Sequence, residues 1–113
     1  MALFKIIAKE NWDRAVAEGL FTGAAIDLAD GYIHLSGETQ VEETARLHFA
    51  GQDGLLLVAF SETQFGGALK WEASRGGALF PHVYGTIDPA TALWAKPLLW
   101  NGTAHDFPEN WRR

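Results

Sequence analysis

Residues 30–40 read DGYIHLSGETQ, and their reading decides what kind of sheet this chain builds. Glycine follows the opening aspartate, after which apolar and polar side chains alternate. Successive strand residues point to opposite faces, so Ile33 and Leu35 share one side while Tyr32, His34 and Ser36 share the other. A washed strand face usually carries Lys, Glu, Thr and Gln, whereas this one carries a phenol, an imidazole and a hydroxyl. Two later stretches repeat the pattern. LKWEAS (69–74) sets Leu69, Trp71 and Ala73 against Lys70, Glu72 and Ser74, and PHVYGTI (81–87) sets Val83 and Ile87 against His82, Tyr84 and Thr86.

Outward from that strand, the periodicities predict an α+β domain. LFKIIA (3–8) reads as an opening strand. Asn11 is placed to cap a helix with the apolar stripe Trp12, Ala15, Val16 and Leu20, ended by Gly19. A short strand is expected at Ala25–Leu28. Thr39 and Glu42 have the spacing of a capping box for a helix over 40–50, whose stripe is Val41, Ala45, His48 and Phe49. His48 is therefore expected to be a buried, hydrogen-bonded histidine. LLLVAF (55–60) suits a strand buried on both faces. Glycine pairs at 66–67 and 76–77 turn the chain, and ALWAKPLLW (92–100) is a strand interrupted or edged at Pro97. Five or six strands and two main helices in one domain over 1–113 are expected, with the five tryptophans mainly in the core.

Composition narrows the function classes. With 113 residues, a core forms without staples. The absence of cysteine removes disulfides, thiolate metal sites and thiol nucleophiles. The opening MALFKIIAKENW has no long apolar region or small-residue cleavage site, so a signal peptide is not expected and the cytoplasm is the expected location. No apolar run approaches the ~20 residues of a membrane helix. A formal charge of −5 argues against extended nucleic acid as a partner and favours a small polar molecule or a protein.

The three polar faces suggest one wall of a cleft made by Tyr32, His34 and Ser36 with His82, Tyr84 and Glu72. Imidazoles support acid–base work or oriented hydrogen bonding near neutrality, and aromatic walls with few polar groups typify ligand sites. The bland alternative is a set of satisfied structural histidines and a surface carboxylate. Lys70 and Arg75 are either a phosphate clamp or an ordinary pair of charges by a turn. His34, His82 and Glu72 are an accepted metal-ligand set in kind, without supporting spacing. No nucleophile elbow, Walker loop, dinucleotide fingerprint or His-Glu-x-x-His helix occurs.

Taken together and in order, DGYIHLSGETQ, LKWE and FPHVYG, with the late WNGTAHDFP, resemble a small, mostly bacterial family: domain of unknown function nine hundred fifty-two. That family is distantly similar to ADP-ribosyltransferase-like folds. The resemblance implies a bent, split, mostly antiparallel sheet with the helices outside and NAD in the cleft between the halves. It implies that His34 orients a ribose hydroxyl, that Tyr84 supplies an aromatic wall, and that Glu72 is the carboxylate, with Glu72 or His82 stabilising developing charge. One departure is plain: Glu72 precedes Tyr84, whereas the toxin-like pattern has its glutamate after the aromatic motif. An NAD-dependent transferase, a non-catalytic module that binds a small ligand or a protein, and a metal-dependent hydrolase all stay open, as does the oligomeric state.

Overall fold

The computed structural model describes residues 1–74 and 76–112. Its elements run β1 (Ala2–Ala8), α1 (Lys9–Glu18), α2 (Ala25–Asp30), β2 (Ile33–His34), α3 (Val41–His48), β3 (Leu55–Ser61), β4 (Leu69–Ser74), β5 (Ala78–Val83), β6 (Trp94–Trp100) and β7 (His105–Asp106). They form an α+β domain with two antiparallel sheets, one ordered β1-β3-β6-β7 and the other β2-β5-β4.

LLLVAF occupies the position its composition demands. β3 lies between β1 and β6, and Leu55 through Phe60 are all buried. Its alternate residues feed two cores. Leu56, Val58 and Phe60 pack with Leu3, Ile7, Trp12 and Phe21, and with Ile33, Leu35 and Val83 of the smaller sheet. On the opposite face Leu55, Leu57 and Ala59 pack with Phe4, Ile6, Val41, Ala45, Leu98 and Trp111. Pro97 sits within β6 opposite Leu56, in a stretch where β6 has no second neighbour, since β7 reaches only Leu99 and Trp100. Proline is tolerated there because its missing N–H would have faced outward.

Several local expectations change. Residues 25–30 form a helix rather than a strand: Asp27 Oδ2 accepts from the Ala24 N–H at 2.7 Å, and Gly31 ends the turn at φ 87°. In so short a segment, these two caps outweigh the strand-like run of apolar residues. α1 begins at Lys9, two residues before the expected cap Asn11, and ends at Gly19 in the left-handed conformation. The Thr39–Glu42 capping box does not form. Gln40 is the flanking residue of α3, and its Oε1 instead takes the Gly37 N–H at 2.9 Å.

Besides the core they share, the two sheets are joined by a backbone bridge beside the site. Phe4 of β1 and Ser36, just beyond β2, exchange both backbone hydrogen bonds at 2.8 Å. Beyond this bridge β1 follows β3 while β2 follows β5, so the sheets part. Among the described residues, no helix is long and apolar enough to cross a membrane.

Candidate functional site

Strand order brings the three polar faces together. β5 is central in the small sheet, and His82 lies opposite both His34 of β2 and Lys70 of β4. Residues directly opposite in an antiparallel pair share a face. Tyr32, His34, Lys70, Glu72, His82 and Tyr84 therefore occupy one side. The rings are in contact: Tyr32 stacks on His82 with centroids 4.1 Å apart and lies 4.7 Å from His34 and 5.3 Å from Tyr84. The His34 and His82 rings meet edge-on at 5.4 Å.

Glu72 is the acceptor of this cluster. Its Oε1 lies 2.8 Å from His82 Nδ1 and takes the Tyr84 hydroxyl at 2.8 Å. The bonds from His82 and then Tyr84 hold the Glu72 carboxyl below its ordinary value, and the same contact with Glu72 raises the Tyr84 phenol. An ionised carboxylate with two donors on one oxygen orients its neighbours and is poorly suited to give up a proton. Lys70 Nζ sits 5.4 Å from the centre of the Tyr84 ring. Arg75, the other half of the phosphate-clamp reading, lies outside the described residues.

His34 has a second set of partners. Asp27 on α2 has its side chain 1 % exposed and Lys5 on β1 has its side chain 7 % exposed, and the two form an ion pair of 2.8 Å. Asp27 Oδ1 takes the His34 backbone N–H at 3.0 Å and lies 2.6 Å from His34 Nδ1. Lys5 Nζ also donates to the His34 carbonyl at 3.0 Å. On the ring's far side, Nε2 lies 2.9 Å from Asp30 Oδ2. Burial by itself would raise Asp27, but the charge and hydrogen bond of Lys5 and the bonds from His34 outweigh it, and the carboxyl lies below its ordinary value. Burial lowers Lys5, with Asp27 pulling the other way. Gly23 makes room for this arrangement: at φ 119°, a Cβ there would stand 2.8 Å from the Asp27 Cβ.

A cavity of about 460 Å³ opens where the sheets part. Phe4, Lys5 and Ile6 of β1 form one side, His34, Leu35 and Ser36 another, and Ile26, Asp30, Thr44, His48, Phe49 and Ser74 close the rest. The size falls within the ~300–1,000 Å³ usual for small-ligand sites, and the mixture of apolar floor and few polar groups is typical of them. Ser36 is buried, and its Oγ lies 3.0 Å from Thr44 Oγ1. Glu72, His82, Tyr32 and Tyr84 lie beside this cavity on the face shared with His34, not in its wall.

The outcome for the sequence-derived residues is thus divided. Tyr32, His34, His82, Tyr84 and Glu72 are brought into one cluster, and Ser36 joins His34 in the cavity wall. His48 is not the buried histidine that its helical stripe suggested; it is exposed at the end of α3 and faces the cavity. Trp71 is 38 % exposed because β4 is an edge strand, so the tryptophans are not uniformly core. Asp27, Asp30 and Lys5 were missed. A lone lysine within the otherwise apolar LFKIIA was the available signal, since alternation places it between Leu3 and Ile7 on an inward face. Among the described residues, no group of three histidine, aspartate or glutamate side chains is set to hold a metal ion. His34, His82 and Glu72 engage one another and their carboxylate partners instead.

The profile of the family described as "Protein of unknown function (DUF952)" matches residues 6–95. The chain belongs to this family. A crystal structure of protein CC0527 from Caulobacter crescentus is 43% identical, with a TM-score of 0.88 over 94% of each chain. The solution NMR structure of CC0527 is likewise 43% identical, with a TM-score of 0.83 over 92% of this chain and 90% of that one. No curated protein matches.

Proposed function

We propose that this member of the family binds a small nucleotide-like ligand, with NAD the candidate, in the cavity between its sheets, as an ADP-ribosyltransferase-like domain working in the cytoplasm. One observation carries the reading: the cavity opens at the point where β1 and β2 part, and His34, the residue that the fold resemblance assigns to a ribose hydroxyl, stands in its wall. The apolar floor of Phe4, Ile6 and Phe49 offers a surface for a flat ring, while Asp30, His34 and Ser36 offer polar contacts beside it. In the transferase version, NAD loses nicotinamide and its ribose carbon is passed to an acceptor. His34 then orients the ribose, Tyr84 and Tyr32 supply aromatic surface, and Glu72 and His82 set the charge along the same face.

A second reading has its own support. Glu72 spends one carboxylate oxygen on both His82 and Tyr84, outside the cavity wall, which favours a binding module without turnover. Thermal denaturation with NAD and ADP-ribose, for wild type and His34→Ala, separates the cases. Ligand at about 100 times Kd stabilises a folded protein by about 2.7 kcal/mol, a rise of roughly 10 °C here. Such a rise in wild type, lost in a folded His34→Ala, supports the site. Release of nicotinamide on prolonged incubation selects the transferase, and a shift without release selects the binding module. No shift with either ligand sinks the NAD reading.

A further inference from the structure

We propose that Asp27, neutralised by Lys5, is the positioning residue of the site, fixing both the rotamer and the tautomer of His34 so that Nε2 is the ring atom offered beside Asp30 at the cavity rim. The inference rests on the reading of His34 as a ligand-contacting residue, and its spectroscopic test needs no ligand.

Lys5 Nζ has three N–H donors, and it has Asp27 Oδ1 at 3.0 Å, Asp27 Oδ2 at 2.8 Å and the His34 carbonyl at 3.0 Å. An ammonium with every donor engaged has no lone pair to offer, so although Lys5 borders the cavity it is no nucleophile. Its task is to make a carboxylate tolerable where water is absent.

Asp27 is equally committed. Oδ2 accepts from Ala24 N–H and Lys5, while Oδ1 accepts from Lys5 and the His34 N–H and lies against His34 Nδ1. One oxygen thus meets the backbone and the ring of the same residue. The backbone contact fixes where the oxygen lies relative to the His34 main chain, and the ring contact then permits a narrow range of side-chain torsions. A carboxylate only accepts, so Nδ1 must carry a proton. Asp30 Oδ2, 2.9 Å from Nε2, is likewise only an acceptor and calls for a proton there. Its side chain is 44 % exposed where that of Asp27 is 1 % exposed, so Nε2 is the nitrogen released when Asp30 turns to solvent or a ligand takes its place, while Nδ1 stays held. Histidines in catalytic and metal sites are oriented in the same physical way, by a carboxylate on the nitrogen that does not meet the ligand. Asp27 lies outside the cavity wall, so it acts only through His34.

The test is long-range proton–nitrogen NMR of the histidine rings in the full chain without ligand, for wild type, Asp27→Asn and Asp27→Leu, followed by NAD titration of each. Wild type is expected to show a slowly exchanging proton on His34 Nδ1 in mildly alkaline buffer. Asp27→Asn keeps an acceptor oxygen for Nδ1 and serves as the conservative control, whereas Asp27→Leu, which leaves none, should lose that signal, populate the Nε2–H tautomer that a free histidine side chain prefers, and bind NAD roughly tenfold more weakly. If Asp27→Leu does not fold, the double variant Lys5→Met with Asp27→Leu, which removes both buried charges, is expected to show the same loss. A bare Nδ1 in wild type overturns the proposal, as does an unchanged tautomer in a folded Asp27→Leu or in the double variant with Lys5→Met. Correct tautomers with no NAD response leave Asp27 as the orienting group and remove NAD as the ligand.

Discussion

The two sheets of this domain are built from similar materials and do opposite work. In the larger one, β3 is buried on both faces, and every second residue feeds a different core. In the smaller one, β5 gives Val83 to the core and presents His82 to a face shared with Tyr32, His34 and Glu72. Apolar burial is nondirectional and summed over area, so the large sheet supplies stability with little demand on detail. Hydrogen-bonded polar clusters depend on geometry, so the small sheet holds groups in place at little net gain in stability.

That contrast can be broken most directly in β3. Leu57 has no exposed surface, and Leu57→Ala should cost about 4 kcal/mol in a urea melt. Leu79→Ala, exposed near the start of β5, should cost no more than about 0.5 kcal/mol. Equal costs would refute the division of labour.

Asp27 is the place where the division should blur, because it joins a site residue to a buried charge. Removing one partner of a buried ion pair leaves the other uncompensated, so Asp27→Asn should lose about 3 kcal/mol, while Lys5→Met combined with Asp27→Asn should recover part of it. Recovery in the double variant is the decisive result. If the double variant is less stable than Asp27→Asn by the full cost of Lys5→Met, the two residues are uncoupled.

Acid sharpens the same point. The folded Asp27 carboxyl lies below its ordinary value of 3.8, so in the acid range the unfolded chain binds the extra proton. The stability contributed by Asp27 is fully present above about that ordinary value and is lost as pH falls through the folded value. The stability gap between wild type and Asp27→Asn should therefore narrow on acidification below pH 3.8, measured by urea melts across the range. A constant gap would mean that Asp27 matters for shape and not for charge.

The smallest expected effect belongs to the polar face. Glu72→Gln weakens the hydrogen bond and removes the charge by which Glu72 raises Tyr84, so absorbance titration should find one of the two tyrosines ionising at lower pH than in wild type. Little change in melting temperature should accompany it, because the group is exposed to solvent screening. A large loss of stability would show that the cluster is structural.

Much of this organisation was legible from period alone. DGYIHLSGETQ, LKWEAS and PHVYGTI each alternate, and burial of Ile33, Leu35 and Val83 fixes which way their histidines point. Periodicity failed where an element was short or its neighbours decided the outcome. Residues 25–30 are too few for a helical stripe to be distinguished from a strand, and a carboxylate cap and a left-handed glycine settled the matter. His48 lies on an apolar stripe whose last turn extends past the core, and Trp71, on the core-side face with Leu69, sits on an edge strand that leaves it 38 % exposed.

Sequence by itself determined the α+β class, the buried central strand and the existence of three polar strand faces, because each depends on contacts between residues close in the chain or on simple alternation. Tertiary structure decided which faces meet. Placing β5 between β2 and β4 gathers His34, His82, Glu72 and the two tyrosines, and parting β1 from β2 at the Phe4–Ser36 bridge opens the cavity beside them. It also decided that Lys5, Asp27 and His34, separated by 22 and 7 residues in the chain, form one network. A charge in an apolar strand announces that a partner exists; only the folded chain, through the distance between the two groups, says which.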